Sequence, residues 1–256
     1  MMRKSFFEMG MVVLFLGLLI SSALAGPEEK TDPASELFQQ GVTALNQGNA
    51  AAAADKFTEA LKADPDLTEA YINRGIARLR LDQPVEAVAD FDKALELVPD
   101  SHEALYNRAL AYSQGGVYDK ALEDYTQALK HAPKDWQIIY NRGNTYLDLG
   151  KNKEALADYQ RALKLHPKAP EILHNRGLAH LNLDQPSEAL RDADAALELN
   201  ANFARAYFVR AQALAKLDQK YEAMAAYRQF LKIASPEKDR DLMQQALEKL
   251  KKLEGK

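Results

Sequence analysis

Positions of like character recur along this chain at two scales. Over short windows they follow helical spacing, as in Tyr71, Gly75 and Arg78, and again in Ala87, Phe91 and Ala94. Over long windows the same columns return every 34 residues. Small residues stand at Gly41, Gly75, Ala109, Gly143, Gly177 and Ala211. Alanines stand at Ala53, Ala87, Ala121, Ala155, Ala189 and Ala223, and a further column runs Ala60, Ala94, Ala128, Ala162, Ala196, completed by Phe230. Prolines follow at Pro65, Pro99, Pro133 and Pro167, with Pro236 one residue late. Six units result, at 34–67, 68–101, 102–135, 136–169, 170–203 and 204–237.

Each unit reads as two amphipathic helices. Between them stands a residue suited to the left-handed backbone region: Gly48, Asp82, Gly116, Gly150, Asp184 and Asp218. The proline column ends the second helix of each unit. No unit can bury its apolar face alone, so stacking of neighbours must supply the core.

This pattern resembles the tetratricopeptide repeat family. The fifth repeat departs from it, with Ala193 and Ala201 in place of the expected aromatic and proline. The resemblance implies an all-α fold, a right-handed superhelical solenoid of six helix-turn-helix repeats over 34–237, whose first helices line a concave groove for peptides. Residues 238–256 are expected to form a C-terminal capping helix. Ser235 is its expected N-cap, Pro236 its first helical residue, and Leu242, Ala246, Leu250 and Leu253 its apolar stripe.

If the family geometry holds, one position of each first helix faces the groove. It is held by Asn73, Asn107, Asn141 and Asn175 in repeats two to five, with Gln39 and Val209 at the ends. An amide both donates and accepts, so four of them could hold an extended peptide by its backbone. The alternative reading is a hydrogen-bonding role between repeats. One residue earlier, Phe38, Ile72, Tyr106, Tyr140, His174 and Phe208 form an aromatic-rich row, either ligand anchors or partly buried core. Asn144 lies further around the same helix face, among Ile76, Leu110, Leu178 and Gln212. The family's clamps for acidic chaperone C-termini use basic groove positions. Phe38 and Val42 occupy the corresponding places here, so that activity is not expected. In the sixth repeat Arg205 and Lys216 could read an acidic ligand residue.

Arg74, Arg108, Arg142, Arg176 and Arg210 form another column, matched by Asp90, Asp124, Asp158 and Asp192. Semi-buried guanidinium groups need carboxylates, so a structural role is favoured over an anion-binding stripe. Pairing within a repeat leaves Arg210 over, and pairing to the preceding repeat leaves Arg74 over.

Composition narrows the chemistry. The 256 residues carry 33 Lys+Arg against 37 Asp+Glu, too even a balance for a nucleic-acid protein. The absence of cysteine excludes disulfides, thiolate metal sites and a cysteine nucleophile. His102, His131 and His166 fall at repeat boundaries, and His174 and His180 are not at the i, i+4 spacing of a metal-binding face. No phosphate loop or nucleophile elbow is present. No catalytic residue, metal or cofactor is therefore expected.

The first 25 residues differ from the rest. Arg3 and Lys4 precede an apolar run from Met9 to Ile20, and small residues follow at Ala23 and Ala25. This reads as a signal peptide cleaved between Ala25 and Gly26. The alternative is a retained anchor through residues 9–25, although 17 uncharged residues are short for a spanning helix. Residues 26–33 read as a polar linker. Cleavage would remove Arg3, Lys4 and Glu8 and leave a net charge of −5. The sequence thus points to a non-catalytic scaffold, periplasmic or secreted. It would bind a peptide segment of another protein as a monomer or weak oligomer; a self-associating envelope protein is the alternative.

Overall fold

The computed structural model describes residues 32–255, so the expected signal peptide and the cleavage expected between Ala25 and Gly26 lie outside the described residues. Among those described, every regular element is an α-helix, and none is long and apolar enough to cross a membrane. The helices fall into two compact units divided after Pro133.

The first unit holds α1 (Pro33–Asn46), α2 (Ala50–Ala63), α3 (Thr68–Arg80), α4 (Pro84–Leu97), α5 (His102–Gln114) and α6 (Tyr118–His131). The second holds α7 (Trp136–Asp148), α8 (Asn152–Leu165), α9 (Pro170–Asn182), α10 (Pro186–Leu199), α11 (Ala204–Lys216), α12 (Lys220–Ile233) and α13 (Arg240–Glu254). Six helix pairs thus follow the six sequence repeats. Side-chain oxygens begin several helices by accepting free backbone N–H groups: Asp32 for α1, Asn49 for α2, Ser101 for α5 and Asp135 for α7. Pro opens α1, α4, α9 and α10, where its missing N–H costs nothing.

All six residues assigned to the turn between paired helices have positive φ, from 57° at Asp184 to 79° at Gly48. Within each unit, polar side chains near the end of a first helix grip the preceding repeat's turn or its flank. Arg80 Nη1 donates to the Leu45 carbonyl at 2.7 Å, Gln114 to Asp82 at 2.8 Å, Asn182 to Asn152 at 3.0 Å and Lys216 to Asp184 at 2.6 Å.

The small column has a steric cause. A β-carbon on Gly41 would sit 2.6 Å from the Phe57 ring, on Gly75 2.6 Å from Phe91, and on Gly143 2.8 Å from Tyr159. These rings, with Tyr125, Tyr227 and Phe230, are among the largest fully buried side chains. The fifth repeat lacks such a ring, and Val209 from the next repeat occupies the space instead. Its Cγ1 would be 3.1 Å from a β-carbon on Gly177, and it packs with Ala189, Ala193 and Ala213.

Both ends of the array begin differently from the sequence expectation. Asp32 and Pro33, assigned to the linker, are the N-cap and first residue of α1. The last helix begins at Arg240, not at Pro236. Residues Ser235 to Asp239 instead form a turn in which the Asp239 N–H donates to the Ser235 carbonyl at 2.7 Å, while the Asp239 carboxylate accepts from the Ser235 N–H at 3.1 Å. Asp239 is held there because Arg205 also donates to it, at 2.9 Å. Ala246 and Leu250 of α13 then pack on Tyr227 and Phe230, covering the apolar end of the second unit.

Candidate functional site

The asparagine column lies on the first helices α3, α5, α7 and α9, and its amides are largely engaged within the chain. The Nδ2 groups of Asn73, Asn107 and Asn141 donate to the carbonyls of Glu69, Glu103 and Gln137, one turn earlier in their own helices, at 2.8–2.9 Å. Asn73 is half-buried, whereas Asn107, Asn141 and Asn175 are buried. The Asn107 Oδ1 is enclosed without a hydrogen-bond partner.

Four of the sequence candidates come together in the second unit as a closed polar network. Asn175 Nδ2 donates to Tyr140 Oη at 3.0 Å and to Asn144 Oδ1 at 2.9 Å. The same Asn144 oxygen accepts from Tyr159 Oη at 2.9 Å, and its amide nitrogen approaches Asn141 Oδ1 at 3.5 Å. Burial pushes the Tyr140 hydroxyl up to about 12, partly offset by its hydrogen bond with Asn144, and holds Tyr159 well above the ordinary phenol range. Both hydroxyls remain donors at any physiological pH. Tyr159 was missed from the sequence, although two signals were present: a tyrosine stands where repeats one and two have phenylalanine, and an asparagine stands at 144 where repeats two and three have Ile76 and Leu110.

The aromatic row faces the core. Phe38, half-buried, packs on Phe57 at a ring separation of 5.6 Å. Tyr106 lies against Tyr125 and Tyr140 against Tyr159, both at 6.1 Å, and Phe208 contacts Tyr227 and Phe230 at 5.8 and 5.2 Å. His174 meets Phe203 edge-on at 5.4 Å, with its Nδ1 buried and unpartnered. Burial, reinforced by nearby Arg205 and opposed by Asp239, lowers its pKa to about 3, so the imidazole is neutral. The two basic candidates of the sixth repeat are also engaged, Arg205 with Asp239 and Lys216 with Asp184. They are internal partners, not open readers of a ligand.

The arginine column is structural. Arg74, Arg108, Arg142 and Arg176 each grip the aspartate 16 residues ahead, Asp90, Asp124, Asp158 and Asp192, through Nε and Nη2. The remaining Nη1 of Arg74 reaches back to Thr58 at 3.1 Å, and that of Arg108 to Asp92 at 2.6 Å. Arg210 has Ala226 ahead of it and binds backward to Asp194 at 2.7 Å. The choice between two pairing schemes is therefore resolved by two rows of acceptors.

Two carboxylates flank the asparagine column on the first helices of the first unit. Glu69 is exposed, Glu103 half-buried, and both stand one turn before an asparagine of the column. Burial raises the Glu103 carboxyl above its usual range, and the neighbouring Glu69 charge adds to the effect. Among the described residues no cluster of three histidine, aspartate or glutamate side chains could hold a metal ion.

Comparison with known proteins agrees with this architecture. A tetratricopeptide repeat model matches residues 38–102 and 174–238, just over half of the chain, and further models of the same repeat match 102–135, 124–157 and 143–184. The comparison with curated proteins gave no match. Among solved structures, a tetratricopeptide repeat protein from Parabacteroides merdae superposes with a TM-score of 0.69 at 20% identity, over 87% of this chain and 93% of that one. Pseudomonas aeruginosa pilF gives 0.69 at 18% identity, over 83% and 97%. YrrB, described as a tetratricopeptide repeat protein with an unusual peptide-binding site, gives 0.59 at 25% identity, over 70% and 93%. The chain belongs to the tetratricopeptide repeat family, whose fold supports a protein–protein interaction scaffold.

Proposed function

We propose that this protein is a non-catalytic scaffold of the periplasm or cell envelope that binds a peptide segment of another exported protein on the first-helix face of its repeats. One observation carries the reading and sharpens the ligand. In the first unit the amide nitrogens of Asn73 and Asn107 are tied to their own helices, while the carboxylates of Glu69 and Glu103 stand beside them. The face therefore offers acceptors, and a segment rich in donors, such as one carrying lysine or arginine, suits it. The peptide-binding site named for YrrB is consistent with a peptide ligand. The location rests on the N-terminal charge, apolar run and Ala23/Ala25 pattern.

The test is affinity capture from the native envelope fraction with residues 26–256, compared with the E69K/E103K variant at matched helicity. Loss of the captured partner in the variant supports the reading. Capture of the same partner by both proteins sinks the first-helix face as the site. Sequencing the N-terminus of the native protein tests the location: a start at Gly26 supports export with cleavage, and an intact Met1 rejects it.

A further inference from the structure

A hollow of about 310 Å³ opens in the second unit between the second helices of repeats four and five. Leu156 and Gln160 of α8 form one wall, Glu188, Arg191 and Asp192 of α10 the other, and Arg176 and His180 of α9 lie between. Its charges are partly matched already. Arg191 Nη2 pairs with Glu188 at 3.1 Å, and Arg176 holds Asp192 through Nε at 2.8 Å and through Nη2. His180 Nε2 lies 3.8 Å from Asp192, and its Nδ1 is 2.7 Å from the Gln185 side chain.

Arg176 nevertheless differs from Arg74, Arg108 and Arg210. The position 16 residues before each of these three carries an acceptor that binds it, at Thr58, Asp92 and Asp194. For Arg176 that position is Gln160, which lines the hollow and makes no hydrogen bond to the guanidinium. The Arg176 Nη1 is left with two N–H groups and no protein acceptor, beside an amide able to donate and the largely exposed Arg191.

We propose that this hollow is a second binding site, which takes the carboxylate of an aspartate or glutamate side chain of a partner chain. The carboxylate occupies the place that Asp92 fills at the Nη1 of Arg108 from within the protein. It accepts from Arg176 Nη1 and from the Gln160 amide, and Arg191 swings from Glu188 to close over it. The volume exceeds one carboxylate, so the flanking residues of the partner are accommodated as well. The site is independent of the first-helix face and does not fall with it.

The Q160D variant tests this without removing the structural arginine, because it supplies the missing acceptor internally. Binding is read from the Arg176 Nε–H and Gln160 side-chain resonances of the full folded protein during titration with the peptide acetyl-Ala-Glu-Ala-amide. The proposal expects saturable shifts at both groups and, in Q160D, Arg176 shifts at least about tenfold weaker, the loss of one charged hydrogen bond. Equal shifts with acetyl-Ala-Gln-Ala-amide, or unchanged affinity in Q160D, overturn it. Acetate saturating the same resonances as tightly as the peptide overturns the partner-chain source, leaving a site for small free carboxylates.

Discussion

Arg210 donates to Asp194, a carboxylate 16 residues before it, at 2.7 Å, whereas Arg176 turns to Asp192, 16 residues ahead. The same column thus uses two acceptor rows, and their environments differ. Asp194 is about half exposed, while Asp158 and Asp192 are nearly enclosed. Removing an enclosed acceptor strands a guanidinium. We expect D158N to cost about 3 kcal/mol and D194N under about 1 kcal/mol, because water screens the half-exposed pair. Urea unfolding of the two variants under identical conditions measures the difference.

Val209 compensates for Ala193. The valine is fully buried with Leu181, Ala189 and Ala213, in the space where other repeats place a ring. Restoring the column asparagine as V209N puts an amide into this apolar site and should cost about 2 kcal/mol or more. A193F alone overpacks the same space, and V209A should partly rescue it, a coupling readable in a double-mutant cycle.

The Asn144 oxygen accepts from both Tyr159 and Asn175. N144L leaves two buried donors unsatisfied and should destabilise by about 2–4 kcal/mol. Adding Y159F removes one of them, so the double variant should be more stable than N144L. Thermal melting of the three proteins orders them, and a double variant no more stable than N144L contradicts the shared-acceptor network.

His174 supplies a pH dependence of known sign. Its folded pKa is about 3, below the ordinary 6.5, so between these values the unfolded chain binds the extra proton. Its contribution is complete above about pH 6.5 and is lost as pH falls, at up to roughly 1.4 kcal/mol per pH unit. H174F should flatten the acid limb of the stability curve while leaving pH 8 little changed. An identical slope in the variant refutes the assignment.

The left-handed turn at Asp82 has φ near 60°. D82G relaxes the backbone but loses the acceptor for Gln114, so a change within about 0.5 kcal/mol is expected. D82V should cost more than about 1 kcal/mol, because a β-branched side chain resists this region. Chemical unfolding midpoints compare them.

Much of the architecture was legible in the residues. The 34-residue columns placed the helix pairs, and Gly48, Asp82, Gly116, Gly150, Asp184 and Asp218 marked every interhelix turn, because those requirements are local. Backbone handedness at a turn and the apolar period of a helix are set by residues within a few positions of one another. Column spacing also identified Asn141, Asn144, Asn175 and Tyr140 as distinctive polar positions. It did not show that they close on one another around Tyr159, since helical periodicity assigns a face and not a partner across the helix interface.

Other outcomes depended on contacts between repeats. Val209 filling the space left by Ala193, Arg210 turning back to Asp194, and Asp239 drawn to Arg205 so that the last helix starts at Arg240 all join residues 16 or more positions apart. The sequence by itself determined the repeat, the helices and the turns, which local sterics and periodic burial decide. Only the tertiary structure decided which polar groups are consumed internally and which keep open hydrogen-bonding capacity, because an amide, a guanidinium or a carboxylate binds whichever complementary group packing brings within about 3 Å.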